Sequence, residues 1–264
     1  MIGQALPRMR VSLPIVKVSR DPWSRSRDRY RNVRKLGEGA FGRVFSALLS
    51  GKKVIVKEAH GTRGLVAQKS AFLALHREIV ILGKLQKFPF VPRLLEVGPD
   101  YFVQEDVGGE AMALLLMKKG LEIREILSVV VSTGTMASQL HHEGMAHRDL
   151  EPRNILLTPS GVVVIDFGMA IEKSESASLF QEGMEKDVAS LVGITSLILS
   201  ARGLPSSSRL VLSTVIADFE KRLLSHDVGP DTAAGLAKEL YFALAQLGAR
   251  HARGQKIVHA KVRV

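Results

Sequence analysis

The residues of this chain that could do chemistry are concentrated between positions 147 and 168. His147, Arg148 and Asp149 are followed by Leu150 and, after three further positions, by Asn154. In the pattern H-R-D-L-x-x-x-N the aspartate can accept the proton of an attacking hydroxyl, and the asparagine can ligate a metal ion. A second carboxylate stands in the run Asp166-Phe167-Gly168. The segment therefore predicts one proton acceptor and two oxygen ligands for a cation.

Two short apolar runs between these motifs indicate how the chain brings them together. They cover residues 155–157 and 162–165, and Pro159-Ser160-Gly161 lies between them. Apolar runs on either side of a proline and glycine turn are typical of a β-hairpin. Such a hairpin is expected to return Asp166 to the side of Asn154, so that both ligands and the proton acceptor converge.

A glycine-rich stretch closer to the N-terminus has the pattern G-x-G-x-x-G-x-V, formed by Gly37, Gly39, Gly42 and Val44. Glycines allow backbone N–H groups to approach phosphate oxygens closely. The pattern from residue 30 to residue 59 is strand, turn, strand, turn, strand. That order argues against a dinucleotide-binding fold, in which a helix follows the glycines.

The elements after the glycine-rich stretch carry two further charged residues. Lys57 ends the third strand, and residues 66–86 have apolar side chains at steps of three and four, which predicts a helix carrying Glu78. Residues 94–97 and 101–105 predict two more strands, which would complete a five-stranded sheet.

Together these motifs resemble the protein kinase family, over residues 33–194. The resemblance implies an α+β fold of two lobes, with a five-stranded antiparallel sheet and one helix in the N-lobe and a reduced, mainly helical C-lobe. We expect a basic, flexible N-terminal arm at 1–28, the N-lobe at 29–106, the C-lobe at 107–249 and a basic tail at 250–264.

The resemblance also implies catalytic roles. Asp149 would act as the base, and Lys57 would hold the α- and β-phosphates of ATP. Glu78 would form an ion pair with Lys57, and Arg153 would supply positive charge close to the γ-phosphate.

The cofactor contacts follow from the same resemblance. Asn154 and Asp166 are expected to hold Mg²⁺ or Mn²⁺, with Gln104 gating a pocket behind the adenine. Contacts to the nucleotide are expected from Gly37, Gly39, Gly42, Val44, Lys57, Glu105, Val107 and Leu156.

Three features depart from the family pattern. Glu151 stands where kinases acting on serine or threonine commonly have lysine. Only 18 residues separate Gly168 from Asp187, and the motif Ala-Pro-Glu is absent. Asp187 is expected to begin a buried helix and to brace the catalytic loop, after a polar loop with three serines. The short C-lobe is similar to that of RIO-type kinases, the KEOPS kinase subunit and minimal bacterial effector kinases.

Composition narrows the protein class. The 264 residues include no cysteine, which excludes disulfides and cysteine-based zinc sites. No 18-residue apolar stretch indicates a membrane span, and the N-terminus lacks the apolar core of a secretory signal. We therefore expect a cytoplasmic protein, or a secreted effector that acts in a host cytosol.

The net charge of +11 is concentrated at the two ends of the chain. Residues 8–35 carry +8 and residues 250–264 carry +5, which leaves the remainder at −2. Any contact with RNA or an acidic partner is therefore expected at the ends. The chain would act as a monomer or as part of a complex.

These observations favour an ATP- and Mg²⁺-dependent protein kinase that acts on serine or threonine of a protein substrate. The first alternative is a kinase for a small molecule such as an aminoglycoside, choline or a sugar. The second is an ATPase-like or scaffold protein with a kinase fold, which binds RNA or a partner complex through its basic ends.

Overall fold

The computed structural model describes residues 17–19, 22–39, 42–60, 64–118, 123–201 and 206–251. The chain divides into two compact units, one comprising the residues up to Gly108 together with Ile165–Met169, and the other comprising Gly109–Val164 and the residues from Ala170 onward. The first unit is rich in strands and the second in helices, so the predicted two-lobed α+β fold class is confirmed. Residues 252–264 of the expected basic tail lie outside the described residues.

A twisted sheet forms the framework of the first unit. Its strands are β1 (Lys17–Val18), β2 (Arg31–Gly39), β3 (Gly42–Leu49), β4 (Lys52–Ala59), β5 (Leu94–Val97) and β6 (Tyr101–Glu105). Their order across the sheet is β1-β5-β6-β4-β3-β2. Strands β2 to β6 pair antiparallel, as the sequence predicted, while β1 adds a sixth strand that runs parallel to β5.

The segment before β2 packs on one face of this sheet. Helix α1 (Trp23–Ser26) places the indole of Trp23, which is 3% exposed, against the rings of Tyr30, Phe45 and Tyr101 at centroid distances of 4.9, 6.0 and 5.4 Å. This packing corrects the expectation of a flexible arm for residues 22–28. Residues 1–16, 20 and 21 of that arm lie outside the described residues.

Helix α2 (Gly64–Leu85) packs in the same unit through its predicted apolar stripe. Leu75, Ile79, Leu82 and Leu85 are buried, and Phe72 is half-buried. Because successive side chains of a strand point to opposite faces, β4 turns Val54 and Val56 towards the aromatic cluster. It turns Ile55 and Lys57 to the other face.

The second unit contains five helices and two small sheets among its described residues. The elements are β7 (Glu110–Ala111), α3 (Met112–Met117), α4 (Ile123–His142), β8 (Met145–Ala146), β9 (Ile155–Thr158), β10 (Gly161–Val164), β11 (Ile171–Glu172), α5 (Ala177–Ala201), α6 (Ser206–Leu224) and α7 (Thr232–His251). The predicted hairpin is present as β9 and β10, and β7 pairs with β9 while β11 pairs with β8.

Helix α5 differs from its predicted extent. The sequence suggested that the buried helix begins at Asp187, but the helix begins at Ala177 and Asp187 lies near its middle. Phe180 and Met184 are buried in its first turns, and the polar residues between them hide this periodicity in the sequence. The expected polar loop is therefore shorter than predicted, and Ser178 belongs to the helix while Ser174 and Ser176 precede it.

Candidate active site

Three charged residues of the first unit meet around one ammonium group. Lys57 Nζ on β4 lies 2.6 Å from Oε1 of Glu78 on α2 and 3.1 Å from Oδ1 of Asp166. The backbone N–H of Phe167, which begins a short 3-10 helix (Phe167–Met169), also donates to the Glu78 carboxylate. The structure thus brings together three residues that are far apart in the sequence and were each predicted to belong to the site.

The electrostatic balance of this cluster favours an additional cation. Burial by itself would lower the pKa of Lys57, but the nearby carboxylates of Glu78 and Asp166 raise it, so the lysine remains charged. Burial raises the pKa of Glu78, and the Asp166 charge adds to that effect while Lys57 opposes it. Two carboxylates facing one ammonium leave excess negative charge, which a metal ion at Asp166 would neutralise.

The glycine-rich stretch forms the facing ends of β2 and β3. Gly37 is opposite Val44, and Gly39 is opposite Gly42, while residues 40 and 41 between them lie outside the described residues. A Cβ on Gly42 would lie 2.4 Å from the carbonyl oxygen of Glu58, whereas a Cβ on Gly37 would meet nothing within 4 Å. Gly42 is therefore required by strand packing, and Gly37 leaves open space that a ligand could use.

The predicted nucleotide contacts Glu105 and Val107 lie at and just beyond the end of β6 in the first unit. The backbone N–H of Glu105 donates to the carbonyl oxygen of Arg93 at 2.9 Å, so a backbone contact from Glu105 to a nucleotide would use its carbonyl. Gln104 is buried on the same strand. Leu156 lies in the second unit on β9, opposite Ala111 of β7.

The second unit brings Asp149 and Asn154 together. The Asn154 side-chain N–H group donates to the backbone oxygen and to Oδ2 of Asp149, both at 2.9 Å. These two acceptors identify the nitrogen end of the amide and leave its oxygen end as a ligand for a hard cation. Asp149 is thereby held in one orientation, and its carboxylate is 22% exposed.

Arg153 forms an ion pair with Glu151 more closely than with Asp149. Its NH1 lies 2.8 Å from Oε2 of Glu151, and its NH2 lies 3.4 Å from Oδ2 of Asp149. The Arg153 side chain is 64% exposed, so it extends from the loop into solvent. Glu151 directly precedes the short 3-10 helix (Pro152–Asn154), which contains Arg153 and in which Asn154 is buried.

Asp187 anchors the loop that carries Asp149. Its two carboxylate oxygens accept the backbone N–H groups of His147 at 2.8 Å and Arg148 at 2.7 Å, and Nε2 of His141 lies 3.0 Å away. All of Asp187 is buried. The predicted bracing contact is present, and the contribution of His141 was not predicted, because no motif in the sequence links this histidine to Asp187.

Close packing at Gly183 is a second feature that the sequence did not reveal. A Cβ on this α5 residue would lie 2.7 Å from Cβ of Ala146 and 3.1 Å from Cγ of Arg148. Arg148 itself has a φ of 67°, as does Asp166. A left-handed backbone is uncommon for residues other than glycine and is often kept at functional sites.

Asp166 belongs to the first unit, whereas Asp149 and Asn154 belong to the second. Their convergence on one cation stays a prediction. Within the described ranges, no group of three or more histidine, aspartate or glutamate side chains is placed to hold a metal ion. The predicted ligand pair of one aspartate and one asparagine is not a group of that kind.

Comparison with known proteins agrees with this arrangement. The protein kinase domain matches residues 30–191, more than half of the chain. The chain belongs to the protein kinase family. As a kinase-family member it contains the glycine-rich strands, the lysine–glutamate pair and the aspartate-bearing loop in the matched region.

Several named kinases are similar to this one. The serine/threonine-protein kinase PknA of Mycobacterium tuberculosis is 29% identical over 62% of this chain and 40% of its own length. CBL-interacting protein kinase 17 of Oryza sativa is 37% identical over 53% of this chain and 32% of its own. Discoidin domain-containing receptor tyrosine kinase B of Caenorhabditis elegans is 29% identical over 55% and 18%. The chain thus spans less than half the length of these relatives.

None of the described helices of this kinase-family chain is both long enough and apolar enough to cross a bilayer.

Proposed function

We propose that this chain is an ATP- and Mg²⁺-dependent protein kinase that phosphorylates serine or threonine in cytoplasmic proteins. The observation that carries the proposal is the buried contact between Lys57 and Glu78, with Asp166 also beside the ammonium. A lysine held in this way is suited to the α- and β-phosphates of ATP. The serine/threonine kinases among its relatives support the acceptor class.

The donor set fits a hard divalent cation. Asp166 offers a carboxylate in an environment with excess negative charge, and Asn154 offers an amide oxygen. We assign Mg²⁺, or Mn²⁺ with the same oxygen ligands, to these two residues. When bound, the ion would neutralise the charge of the phosphates.

The remaining chemistry falls to Asp149. Its carboxylate takes the proton of the acceptor hydroxyl while the new bond forms between that oxygen and the γ-phosphorus. The bond from the γ-phosphorus to the bridging oxygen breaks, and ADP leaves with that oxygen. Asn154 keeps the carboxylate oriented through its contact with Oδ2.

The test uses the whole chain with γ-labelled ATP, MgCl₂ and casein as the acceptor. Transfer of label to casein supports the proposal, and Asp149→Asn should reduce the rate by roughly 10²–10⁴-fold. The exposed Asp227→Asn variant serves as the matched control and should retain the wild-type rate. Release of free phosphate alone would identify an ATPase, and label found only on aminoglycoside, choline or sugar would identify a small-molecule kinase.

A further inference from the structure

Arg153 lies between two carboxylates of the second unit and contacts them unequally. Its NH1 group lies 2.8 Å from Oε2 of Glu151, a normal distance for a charged hydrogen bond. Its NH2 group lies 3.4 Å from Oδ2 and 3.5 Å from Oδ1 of Asp149. Both of these distances exceed the range of about 2.7–3.2 Å that is usual for N–H···O hydrogen bonds. The guanidinium therefore pairs with Glu151 and remains apart from the predicted base.

The two oxygens of the Asp149 carboxylate differ in their hydrogen bonds. Oδ2 accepts the side-chain N–H group of Asn154 at 2.9 Å. Within the described part of the chain, Oδ1 has no donor closer than the guanidinium of Arg153. Oδ1 is therefore the oxygen that can accept the proton of an incoming hydroxyl, and Arg153 is the neighbouring group that could occupy it instead.

The backbone of the loop fixes the place of Glu151. Its N–H donates to the carbonyl oxygen of Asp149, and its own carbonyl oxygen accepts the N–H of Asn154, both at 2.8 Å. Pro152 follows directly and restricts the backbone of the residue before it. The loop thus presents the Glu151 carboxylate from a defined position, where its contact with NH1 holds one side of the guanidinium.

We infer that Glu151 is a positioning residue that keeps the Arg153 guanidinium from closing on Oδ1 of Asp149. If Glu151 lost its charge, Asp149 would be the remaining ionic partner of Arg153 among the described residues. A two-pronged contact between a guanidinium and a carboxylate would then cover Oδ1, and the acceptor hydroxyl would have to displace it. The inference rests on the proposed function, because it gives Glu151 a part in admitting that hydroxyl.

The exposure of the pair sets the size of the effect. The side chains of Arg153 and Glu151 are 64% and 48% exposed, so solvent screens their contact. The coupling energy of such a pair corresponds to a change of about two- to fivefold in a binding constant. The test must therefore compare kinetic constants between variants rather than look for loss of activity.

The first measurement is the phosphorylation of casein at varied concentrations of casein and of ATP. Glu151→Gln keeps the shape of the side chain and should raise KM for casein about two- to fivefold, with kcat and KM for ATP unchanged. Glu220→Gln, at an exposed position of α6, is the matched control and should retain all three constants. A lower kcat with an unchanged KM for casein overturns the inference, because a distorted loop would act in that way.

A second substitution separates competition for Oδ1 from simple loss of an ion pair. In an Arg153→Gln background no guanidinium remains to close on Asp149, so adding Glu151→Gln should not raise KM for casein further. Glu151→Gln should also have a higher KM for casein than Arg153→Gln, whereas loss of the ion pair alone would affect both single variants equally. Equal values for the single variants, or the same increase in both backgrounds, overturn the inference.

A crystal structure of Glu151→Gln gives a result that needs no turnover. NH2 of Arg153 should lie about 2.7–2.9 Å from Oδ1 of Asp149, in place of 3.5 Å in the wild type. An unchanged distance overturns the inference. A wild-type chain that transfers no label to casein overturns the proposed function and this inference with it, whereas normal transfer with an unchanged KM in Glu151→Gln overturns the inference alone.

Discussion

The ammonium nitrogen of Lys57 lies 2.6 Å from Oε1 of Glu78, and both side chains are largely buried. The lysine comes from β4 and the glutamate from α2, so one contact joins the sheet and the helix of the first unit. Asp166 shares the same ammonium group at 3.1 Å. The position of the lysine therefore depends on two carboxylates. Of these, only that of Asp166 is proposed as a ligand of the metal ion.

Replacing Glu78 by glutamine keeps the shape of the side chain and removes its charge. Lys57 would then have only Asp166 as an ionic partner, and its ammonium group would no longer be fixed for the phosphates. We expect kcat/KM for ATP to fall roughly 10²-fold. Steady-state phosphorylation of casein measures the effect, with exposed Glu182→Gln as the control. Unchanged kinetics of Glu78→Gln would remove the role assigned to this ion pair.

Two glycines of the same motif should respond differently to alanine. Gly42→Ala places a Cβ against the carbonyl oxygen of Glu58, and the fixed backbone of β4 cannot move away cheaply. We expect Gly42→Ala to lower the free energy of unfolding by about 1–3 kcal/mol. The Cβ added by Gly37→Ala would meet no atom within 4 Å, so this variant should change the free energy of unfolding by less than about 0.5 kcal/mol. Urea denaturation of both variants measures the difference, and equal losses would contradict the packing argument.

Arg29 neutralises a carboxylate that is 1% exposed. It contacts both oxygens of Glu96, and the hydroxyl of Tyr101 donates to the same carboxylate. Arg29→Ala would leave Glu96 buried and without this charge partner. Because Arg29 is itself 36% exposed, we expect a loss of about 2–3 kcal/mol, below the cost of breaking a fully buried pair.

Thermal denaturation of Arg29→Ala measures that loss, and the exposed Arg25→Ala is the matched control. Adding Glu96→Gln to Arg29→Ala removes the buried charge and should recover part of the stability. Failure of the double variant to recover would show that the arginine acts through packing alone.

His76 should make the fold sensitive to acid. Burial lowers the pKa of His76 below its ordinary value of 6.5. As the pH falls below about 6.5, the unfolded chain takes up the proton more readily than the folded chain, so stability decreases towards the lower pKa. His76→Gln should show a smaller loss of unfolding free energy between pH 7.5 and pH 5.5. Identical losses in both proteins would contradict the prediction.

Local patterns were sufficient for elements whose burial follows a simple period. Strands β5 and β6 have the predicted limits of 94–97 and 101–105, and the β9–β10 hairpin lies where Pro159 and Gly161 suggested. Helix α1 was missed because it has only four residues and depends on Trp23 finding three other aromatic rings. No periodicity in a short segment can reveal such partners.

The same distinction applies to the candidate site. The spacing of the motifs was enough to predict the ion pair between Lys57 and Glu78, which the structure contains. The catalytic role of Asp149 and the metal-binding role of Asn154 stay predictions. The need for a glycine at position 183 arises instead from the close approach of α5 to Ala146 and Arg148. Such contacts between distant segments become visible only when the chain is folded.

Trp23 is the single tryptophan of the chain, and it lies in the first unit among Tyr30, Phe45 and Tyr101. Its intrinsic fluorescence therefore originates entirely from that unit. Selective excitation at the red edge of the absorption band would follow the release of α1 into solvent as a shift of the emission to longer wavelength. The helical unit contains no tryptophan and is silent in this experiment. Circular dichroism recorded in parallel would report mainly its melting, because most of the helical residues belong to α3 to α7 and fewer to α1 and α2.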